Sequence, residues 1–563
     1  MSRSNTYDVI IVGSGMTGGW AAKEFTEKGL ATLVLERGRE VKHIKDYPTA
    51  NKAPWEFEHR GYLTKEEKEQ YFIQRNKYNF DPSSKHFFVN DKEHTYDYPK
   101  EKPFWWFRGY QTGGRSLLWG RGAYRYSDLE FEANLRDGVG IDWPIRYKDI
   151  APWYDYVERF IGVAGSIENI WQFPDGEFLP PFEMNYAEKV VKERIEAHYP
   201  DRKLVPNRVA HITKAKPGQF KGRSECQSRN MCHRGCPYGA YFSSNSSTLP
   251  AAYETGNLTL LSHALVESVI YDENQDKAVG VRVIDTQSNQ TTEYFARVIF
   301  LCASSLISTA ILLNSKTPRF SGGLANSSGV LGHYLMDHHG GVGGSGMLSG
   351  GEDRIYKGYR PAMVAIPRFR NVNRQEMDYL RGYGLWGGAY RQGLNPSQIG
   401  IGAGLKQKLT QYGPWKMSLA CQAETLPYYE NRVEIDENNK DKWGFPMLKI
   451  TAGYRENELL MRKDIKQQIG EILEVAGLRD INLYDSKPIF GNTIHEMGTA
   501  RMGRDPKTSV LNSYNQCHDI PNLFITDGSC MVSSGNASPS LTYMALTARA
   551  CNYAVDQMKK GEI

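Results

Sequence analysis

Residues 8–18 of the chain read Asp-Val-Ile-Ile-Val-Gly-Ser-Gly-Met-Thr-Gly. The β-branched run that ends at Val12 predicts a short, buried parallel strand. A helix is predicted over 17–28, where apolar residues recur at helical spacing without an interrupting proline. A second strand is predicted over 32–35. The segment therefore predicts one βαβ unit, which is typical of a Rossmann-like α/β fold.

Three glycines between the first strand and the helix match the pattern G-x-G-x-x-G. Gly13 permits the tight turn, Gly15 lets the backbone approach a pyrophosphate, and Gly18 lets helix and strand pack closely. Met16 and Thr17 open the helix, where free N–H groups and the helix dipole favour phosphate. Because the pattern lies between a predicted strand and a predicted helix, it indicates a dinucleotide site rather than an ordinary turn.

Glu36 ends the second predicted strand, and Arg37 follows it. An acidic residue at this position accepts hydrogen bonds from an adenosine ribose and repels a 2′-phosphate. The sequence therefore disfavours NADP. The glycine motif by itself does not distinguish NAD from FAD.

The composition is that of a globular protein. The chain has 563 residues, of which 40% are hydrophobic, and a formal net charge of +5; this length suits two or more domains. Lys and Arg are scattered, which argues against nucleic-acid binding. No apolar run reaches the roughly 18 residues of a transmembrane helix. The polar start, residues 1–7, lacks the apolar stretch of a signal peptide, so we expect a cytoplasmic location, or a periplasmic one after processing or export with a partner.

The remainder of the chain mixes strands and helices. Alternating residues predict a group of strands between 258 and 301, and helical spacing predicts a helix over 456–476. A Gly- and Ser-rich stretch, 321–351, indicates a return point between two domains. The polar and aromatic segment 46–102 has little periodicity, and we interpret it as an excursion or lid.

Several motifs follow one another along the chain. Residues 113–120 read Gly-Gly-Arg-Ser-Leu-Leu-Trp-Gly, 495–503 read His-Glu-Met-Gly-Thr-Ala-Arg-Met-Gly, 527–529 read Asp-Gly-Ser and 539–542 read Pro-Ser-Leu-Thr. Together with the N-terminal motif and Leu-Glu-Arg-Gly at 35–38, they resemble the signatures of glucose–methanol–choline (GMC) oxidoreductases. Within that family the chain is most similar to catalytic subunits of bacterial FAD-dependent sugar and glycoside 3-dehydrogenases, and more distantly to pyranose oxidases.

The resemblance implies FAD as the cofactor, bound by a non-contiguous Rossmann-like domain, and a second, sheet-based domain for the substrate. The FAD-binding domain would comprise 1–45, 103–130, 222–330 and 490–563, and the substrate-binding domain 131–221 and 331–489. The resemblance also implies FAD contacts beyond the N-terminal motif, at Gly113, Gly114, Ser116, Leu118, Asp527, Gly528, Pro539, Leu541 and Thr542. Pyranose oxidases attach FAD through a histidine at the position of Leu118. Leucine cannot form that bond, so we expect FAD to be held non-covalently.

Oxidation of an alcohol requires a base that takes the hydroxyl proton while hydride leaves carbon for the flavin. A neutral histidine suits this role, since its ordinary pKa of about 6.5 lies near working pH. The family places its flavin-facing base where this chain has His495. It places a second group, Asn or His, directly before a later proline. Here Ser538 precedes Pro539, and Asn536 lies two positions earlier, so both are candidates; a serine in that position would weaken or alter activity.

Three of the eight cysteines, Cys226, Cys232 and Cys236, lie close together before Pro-Tyr-Gly-Ala. The segment resembles a loop of FAD-dependent glucose dehydrogenase subunits that holds a [3Fe-4S] cluster, although the cysteine that stands beside the first ligand there is absent here. Thiolates suit iron–sulfur clusters. A disulfide, buried free thiols and a zinc site that includes His233 are the alternatives.

The sequence therefore favours an FAD-dependent dehydrogenase that oxidises a sugar or glycoside hydroxyl to a ketone, with ring carbon 3 as the first choice by resemblance. Electrons would pass to an external acceptor, with a small subunit and a cytochrome c as partners. Two other hypotheses stay open. One is a sugar oxidase that reduces oxygen, and the other is an FAD-binding subunit of a complex that has lost catalysis at Ser538.

Overall fold

The computed structural model describes residues 5–355, 363–393 and 400–563. Within these residues the strands are β1 Thr6–Val12, β2 Thr32–Leu35, β3 Val205–Pro206, β4 Leu258–Leu261, β5 Ala264–Asp272, β6 Lys277–Asp285, β7 Thr291–Leu301, β8 Val342–Leu348, β9 Val364–Ile366, β10 Tyr383–Arg391, β11 Trp415–Ala423, β12 Arg432–Lys440, β13 Pro446–Thr451, β14 Arg479–Asp485 and β15 Leu523–Ile525. The α-helices are α1 Met16–Glu27, α2 Lys65–Gln70, α3 Asp128–Phe131, α4 Ala133–Asp137, α5 Tyr147–Ile161, α6 Tyr186–His198, α7 Thr248–Glu254, α8 Ser305–Asn314, α9 Ala403–Leu409, α10 Glu456–Val475 and α11 Ser540–Lys560.

The first sheet has the strand order β4-β2-β1-β7-β6-β5, and β15 also pairs with β7. β1 is parallel to β2 and to β7, whereas β5, β6 and β7 form an antiparallel meander. The side chains from Val9 to Val12 are buried, as expected for a β-branched run in the middle of a parallel sheet. The Rossmann-like α/β fold predicted from the sequence is confirmed.

Two glycines set the contact between β1 and α1. Gly13 has a φ of 96°, in the left-handed region, and a Cβ atom there would lie 2.5 Å from the carbonyl oxygen of Cys302 at the end of β7. A Cβ atom on Gly18 would lie 1.8 Å from the carbonyl oxygen of Gly13. The helix therefore approaches the end of the strand as closely as it does because both positions lack a side chain.

The second sheet has the order β14-β8-β11-β10-β9-β3, and each pair of neighbouring strands is antiparallel. Helix α10 packs against β8 and β14. It buries Met461, Ile465, Ile469 and Ile472, which lie on one helical face. The predicted helix over 456–476 is therefore present, and its apolar face forms part of a separate core for this sheet.

The segment 46–102 contains one short α-helix, α2, and several single 3₁₀ turns. It is held by a buried apolar cluster that includes Tyr47, Phe80 and Phe87, and by local hydrogen bonds such as the cap of α2, in which the Thr64 hydroxyl accepts from the Glu67 N–H at 3.1 Å. Among the described residues, no helix has both the length and the apolar character needed to cross a membrane.

Candidate active site

A cavity of about 570 Å³ extends from the turn after β1 to residues of β10 and β11, so both sheets contribute to its wall. This volume is in the usual range for ligand sites. The predicted site residues on its wall are Gly13, Gly15, Met16, Thr17, Glu36, Arg37, Gly114, Ser116, Leu118, His495, Asp527, Gly528 and Ser538. The predicted site residues that are absent from its wall are Gly18, Gly113, Asn536, Pro539, Leu541 and Thr542. Most of the motifs that are far apart in sequence therefore meet in one place.

One end of the cavity is formed by the start of α1. Gly15 is the N-cap residue, and no side chain of the described residues caps this helix. A Cβ atom on Gly15 would meet nothing within 4 Å, because the residue faces open space. The first turn carries no acidic residue. Its N–H groups and the positive end of the helix dipole are thus available to a phosphate.

The Glu36 carboxylate joins this turn to a second motif. Its Oε2 accepts from the Ser14 hydroxyl at 2.5 Å and from the Ser14 N–H at 3.2 Å, and its Oε1 accepts from the Gly38 N–H at 2.9 Å. The Ser14 hydroxyl in turn accepts from the Gly113 N–H at 2.9 Å. Burial raises the pKa of Glu36, although these hydrogen bonds oppose the shift. Glu36 therefore holds the glycine turn and the signature 113–120 together.

The chemistry of the wall fits FAD. Tyr543 lines the cavity, and its buried hydroxyl has no hydrogen-bond partner in the part of the chain that the structure describes. An unsatisfied buried hydroxyl is costly, so a polar ligand in the cavity would stabilise this residue. Leu118 lines the cavity, and its hydrocarbon side chain has no nucleophilic atom for a covalent bond to the cofactor. The Asp527 carboxylate is fixed by the hydroxyls of Ser308 and Ser529, at 2.5 and 2.6 Å.

The Pro539–Thr542 motif forms the start of α11 and acts mainly inside the protein. Pro539 is the N-cap residue and Leu541 is fully buried. The Thr542 hydroxyl lies 2.8 Å from that of Tyr154. The helix start reaches the cavity through Ser540 and Tyr543 instead.

His495 lies on the cavity wall, and a hydrogen bond to Asp337 fixes its backbone. Its backbone N–H donates to Oδ1 of Asp337 at 3.0 Å. Burial lowers the pKa of the imidazole well below its ordinary value, and His338, Lys77 and Arg115 add to the shift. The ring is therefore neutral at pH 7, the state in which it can accept a proton.

His338 is the principal site residue that the sequence analysis did not identify. Its Nδ1 lies 2.8 Å from Nδ1 of His495, and its Nε2 lies 2.5 Å from the carbonyl oxygen of Gly535. The amide nitrogen of Gln422 lies 3.2 Å from both Nδ1 atoms. The available signal was the pair of adjacent histidines after Asp337, but nothing in the local sequence connects that pair with His495.

The two candidates for the second catalytic group occupy different places. Ser538 lies on the cavity wall. Asn536 is buried, is not part of the wall, and donates from Nδ2 to Oε1 of Glu130 at 2.7 Å. Burial, with a contribution from the nearby carboxylate of Glu424, raises the pKa of Glu130 to about 7. Asn536 thus anchors the loop, whereas Ser538 faces the space in which a substrate would react.

The far end of the cavity has aromatic walls with polar edges. The Trp386 indole N–H donates to the Tyr124 hydroxyl at 2.7 Å, and that hydroxyl donates to the side-chain oxygen of Asn207. The two rings meet edge to face, with centroids 5.9 Å apart. All three residues line the cavity. They are far apart in sequence, so only the fold brings them together.

Lys77 brings a cation from the 46–102 segment to the same wall. Its Nζ donates to the carbonyl oxygen of Asn492 at 2.6 Å, and no ion pair within 4 Å involves it among the described residues. Burial lowers the pKa of Lys77 to about 8. At neutral pH the cavity therefore contains a positive charge that makes no direct ion pair among the described residues, with Asp337 and Glu496 as the carboxylates that partly offset the effect of burial on its pKa.

The three clustered cysteines lie away from this cavity. All eight cysteines belong to the described residues and none forms a disulfide. Cys226, Cys232 and Cys236 line a separate cavity of about 30 Å³, and Cys232 Sγ lies 3.9 Å from Nε2 of His211. No group of three or more His, Cys, Asp or Glu residues in the described ranges is arranged to hold a metal ion. The three thiols are free, as in the free-thiol alternative, but they are half-buried rather than buried, and no disulfide joins them.

Family models place the chain among known proteins. The N-terminal model of the GMC oxidoreductases matches residues 7–339, and the C-terminal model matches residues 427–547. The chain belongs to the GMC oxidoreductase family. The resemblance to GMC oxidoreductases that was inferred from the motifs is thereby confirmed.

Individual relatives of this GMC oxidoreductase are remote. The chain is 25% identical to the fructose dehydrogenase large subunit of Gluconobacter japonicus, over 98% of each protein. It is 27% identical to the 2-methyl-1,2-propanediol dehydrogenase of Mycolicibacterium austroafricanum, over 97% of this chain and 94% of the relative. A structure of Aspergillus oryzae formate oxidase superimposes with a TM-score of 0.63 at 12% identity, covering 99% of both chains, which shows a shared fold.

Proposed function

We propose that this GMC oxidoreductase is an FAD-dependent dehydrogenase that oxidises a hydroxyl of a sugar or glycoside to a ketone, at ring carbon 3. The observation that carries the proposal is the position of a neutral His495 on the wall of the cavity that begins at the phosphate-binding turn. A base and a dinucleotide site that share one cavity are the two elements that this reaction requires.

FAD would be held by the turn 13–18 and Glu36 at its adenosine diphosphate end and by residues 114–118 and 527–528 farther along the cavity. When bound, it supplies the acceptor for the hydride. Leu118 makes the attachment non-covalent. The free hydroxyl of Tyr543 supplies one polar contact that the protein itself leaves unused in the described residues.

His495 would take the proton of the substrate hydroxyl as the hydride leaves carbon. The two transfers together remove two hydrogens and leave a carbonyl group. Ser538, on the same wall, can donate one hydrogen bond to the reacting oxygen, and this assigns it, rather than Asn536, as the second group. Apolar side chains on the cavity wall, such as those of Leu118 and Phe107, would exclude water from the reacting atoms.

The far end of the cavity supports a sugar as substrate. Trp386 and Tyr124 are aromatic side chains of the kind on which pyranose rings stack, and their polar atoms are paired with each other and with the Asn207 side-chain oxygen, which leaves the Asn207 side-chain N–H group as the polar contact for a sugar hydroxyl. The relation to a fructose dehydrogenase subunit agrees with this choice. Carbon 3 rests on the resemblance described above alone.

The test is anaerobic mixing of the FAD-loaded protein with a glucoside while the visible flavin absorbance is followed. We expect the absorbance to bleach, and the matched 3-deoxy glucoside to leave it unchanged. Bleaching by both compounds would contradict carbon 3. Persistence of the yellow colour with every sugar tried would contradict the enzyme proposal and favour the FAD-binding subunit without turnover.

The acceptor is a separate part of the proposal. We propose a dehydrogenase that passes electrons to an external acceptor such as a cytochrome c, assisted by a small subunit, since relatives are named as the large subunit of one dehydrogenase and the flavoprotein of another. Dye reduction without oxygen uptake during turnover is the expected result. Oxygen uptake at the rate of sugar oxidation would identify an oxidase. We also propose that residues 1–45, 103–130, 222–330 and 490–563 form the FAD-binding domain and that residues 131–221 and 331–489 form the substrate-binding domain.

The geometry of the three clustered cysteines does not fit an iron–sulfur cluster. The space of about 30 Å³ between Cys226, Cys232 and Cys236 corresponds to one or two water molecules. A [3Fe-4S] cluster would require the loop to open. Iron and acid-labile sulfide in the pure protein would support the cluster, and their absence would remove it.

A further inference from the structure

The hydrogen-bond partner of His338 determines which of its nitrogens carries hydrogen. Nε2 lies 2.5 Å from the Gly535 carbonyl oxygen, and a carbonyl oxygen can only accept. Nε2 of His338 therefore carries the hydrogen. Burial lowers the pKa of His338 to about 4, so the ring is neutral above that pH and has no second N–H. Its Nδ1 is then bare and can only accept.

The position of the hydrogen on His338 determines the position of the hydrogen on His495. Nδ1 of His495 lies 2.8 Å from the bare Nδ1 of His338, so it must be the donor of that hydrogen bond. A neutral imidazole has a single N–H, which leaves Nε2 of His495 without hydrogen. The orientation of the Gln422 amide agrees with this arrangement, because its N–H group lies 3.2 Å from the bare Nδ1 of His338 and can donate to it.

We propose that His338 is a positioning residue that holds His495 in the tautomer with hydrogen on Nδ1 and thereby makes Nε2 of His495 the atom that takes the substrate proton. The proposal rests on the proposed function, in which His495 is the base. The reaction balances: the hydroxyl proton moves to Nε2 of His495, and the hydride would pass from the substrate carbon to the flavin. Nδ1 of His495 keeps its hydrogen and its hydrogen bond to His338.

The charged groups around the pair leave this assignment intact. Lys77 and Arg115 disfavour a second proton on His495. The Asp337 carboxylate is engaged by the backbone N–H of His495 and the hydroxyl of Thr493 and so does not compete for the ring hydrogen. The rings of His338 and His495 are nearly perpendicular, at 86°, so the pair is joined by its hydrogen bond rather than by stacking.

The tautomer is measurable without turnover. In the FAD-loaded protein labelled with ¹⁵N-histidine, proton–nitrogen correlation spectra at pH 7 should give His495 an N–H signal at Nδ1 and a bare-nitrogen signal at Nε2, with the assignment made by loss of both in His495→Gln. Hydrogen on Nε2 of His495 in the unaltered protein would overturn the proposal. Retention of full sugar oxidation in His495→Gln would instead refute the proposed function and leave the tautomer result standing.

Two variants separate positioning from structure. His338→Phe removes the acceptor, and we expect His495 to lose its Nδ1 preference and kcat to fall by about 10²–10³-fold. His338→Gln returns an acceptor oxygen and should recover at least tenfold of that loss together with the Nδ1–H signal. The matched control is His339→Phe, which alters the adjacent buried histidine and should leave the His495 signals unchanged. Loss of kcat in His338→Phe without a change of the His495 signals would also overturn the proposal.

Discussion

Arg115 and Glu496 form a two-pronged ion pair, with Nη2–Oε2 and Nη1–Oε1 distances of 2.8 and 3.2 Å. Arg115 belongs to the signature 113–120, and Glu496 follows His495 directly in the chain. The Glu496 side chain is almost fully buried. The pair therefore ties the loop that would hold FAD to the segment that carries the residue that would take the proton, and both partners lie on the cavity wall.

Breaking this pair should cost stability. Arg115→Met leaves the Glu496 carboxylate buried without its partner, and we expect unfolding in urea to require about 2 kcal/mol less free energy, a value reduced because Arg115 is about one-third exposed. Arg115→Met combined with Glu496→Gln should recover part of the loss, since no bare charge is left buried. Equal destabilisation of the single and double variants would contradict this account.

Removal of the base should stop chemistry and spare the cofactor. His495→Gln is expected to lower kcat by about 10²–10⁴-fold, because a glutamine amide does not accept the proton. The visible spectrum of bound FAD and the melting temperature serve as controls and should stay near those of the unaltered protein. A loss of bound FAD in this variant would show that the activity loss has another cause.

Ser538 and Asn536 should give opposite phenotypes. We expect Ser538→Ala to lower kcat by about tenfold with little change in stability, because only a hydrogen bond to the reacting oxygen is lost. Asn536→Ala removes the hydrogen bond to Glu130 inside the protein and should destabilise it by about 1–3 kcal/mol. Steady-state kinetics and urea unfolding of both variants distinguish the roles, and a reversed pattern would make Asn536 the second group.

Glu36 should affect cofactor retention twice over. Glu36→Ala removes the acceptor for the Ser14 hydroxyl and for two backbone N–H groups as well as the contact expected with the ribose. We expect the Kd for FAD, followed by fluorescence recovery on release, to rise at least tenfold. Glu40→Ala, at an exposed position on the same segment, is the matched control. An unchanged Kd in Glu36→Ala would separate Glu36 from the cofactor site.

The pKa of Lys77 predicts how kcat/KM depends on pH. Its pKa of about 8 means that its positive charge is present below that pH and is lost as the pH rises through it. Hydride transfer puts negative charge on the flavin, which a nearby cation stabilises. We therefore expect kcat/KM to fall above about pH 8, and Lys77→Met to be slower at neutral pH and to lack this limb. Lys92→Met, at an exposed site in the same segment, should keep the normal profile.

The residues at the nucleotide-binding end of the cavity could be predicted from local sequence, whereas those at the substrate end could not. The glycine turn, Glu36 and the strands beside them follow from spacing within a few tens of residues. His338, Gln422 and Trp386 come from separate strands and loops of the second half, and their roles depend on which strands pair and on where each side chain ends. A histidine becomes a positioning residue only when tertiary structure supplies its partner, as Gly535 does for His338.

The protonation state of His495 could not be predicted from the local sequence either. His495 was found through a family motif, but its neutral state results from burial and from Lys77 and Arg115, which lie hundreds of residues earlier. The choice between Ser538 and Asn536 also required the fold, since residues two positions apart in a loop point in directions that the sequence does not specify.

The last strand of the first sheet, β15, pairs with β7, and Tyr543 of α11 completes the cavity wall that begins at Val12. The nucleotide turn is translated hundreds of residues before Tyr543, although both line the same cavity. A nascent chain therefore cannot enclose FAD before residue 543 has been made. Any translation product that ends before residue 543 consequently lacks part of the wall of the flavin site.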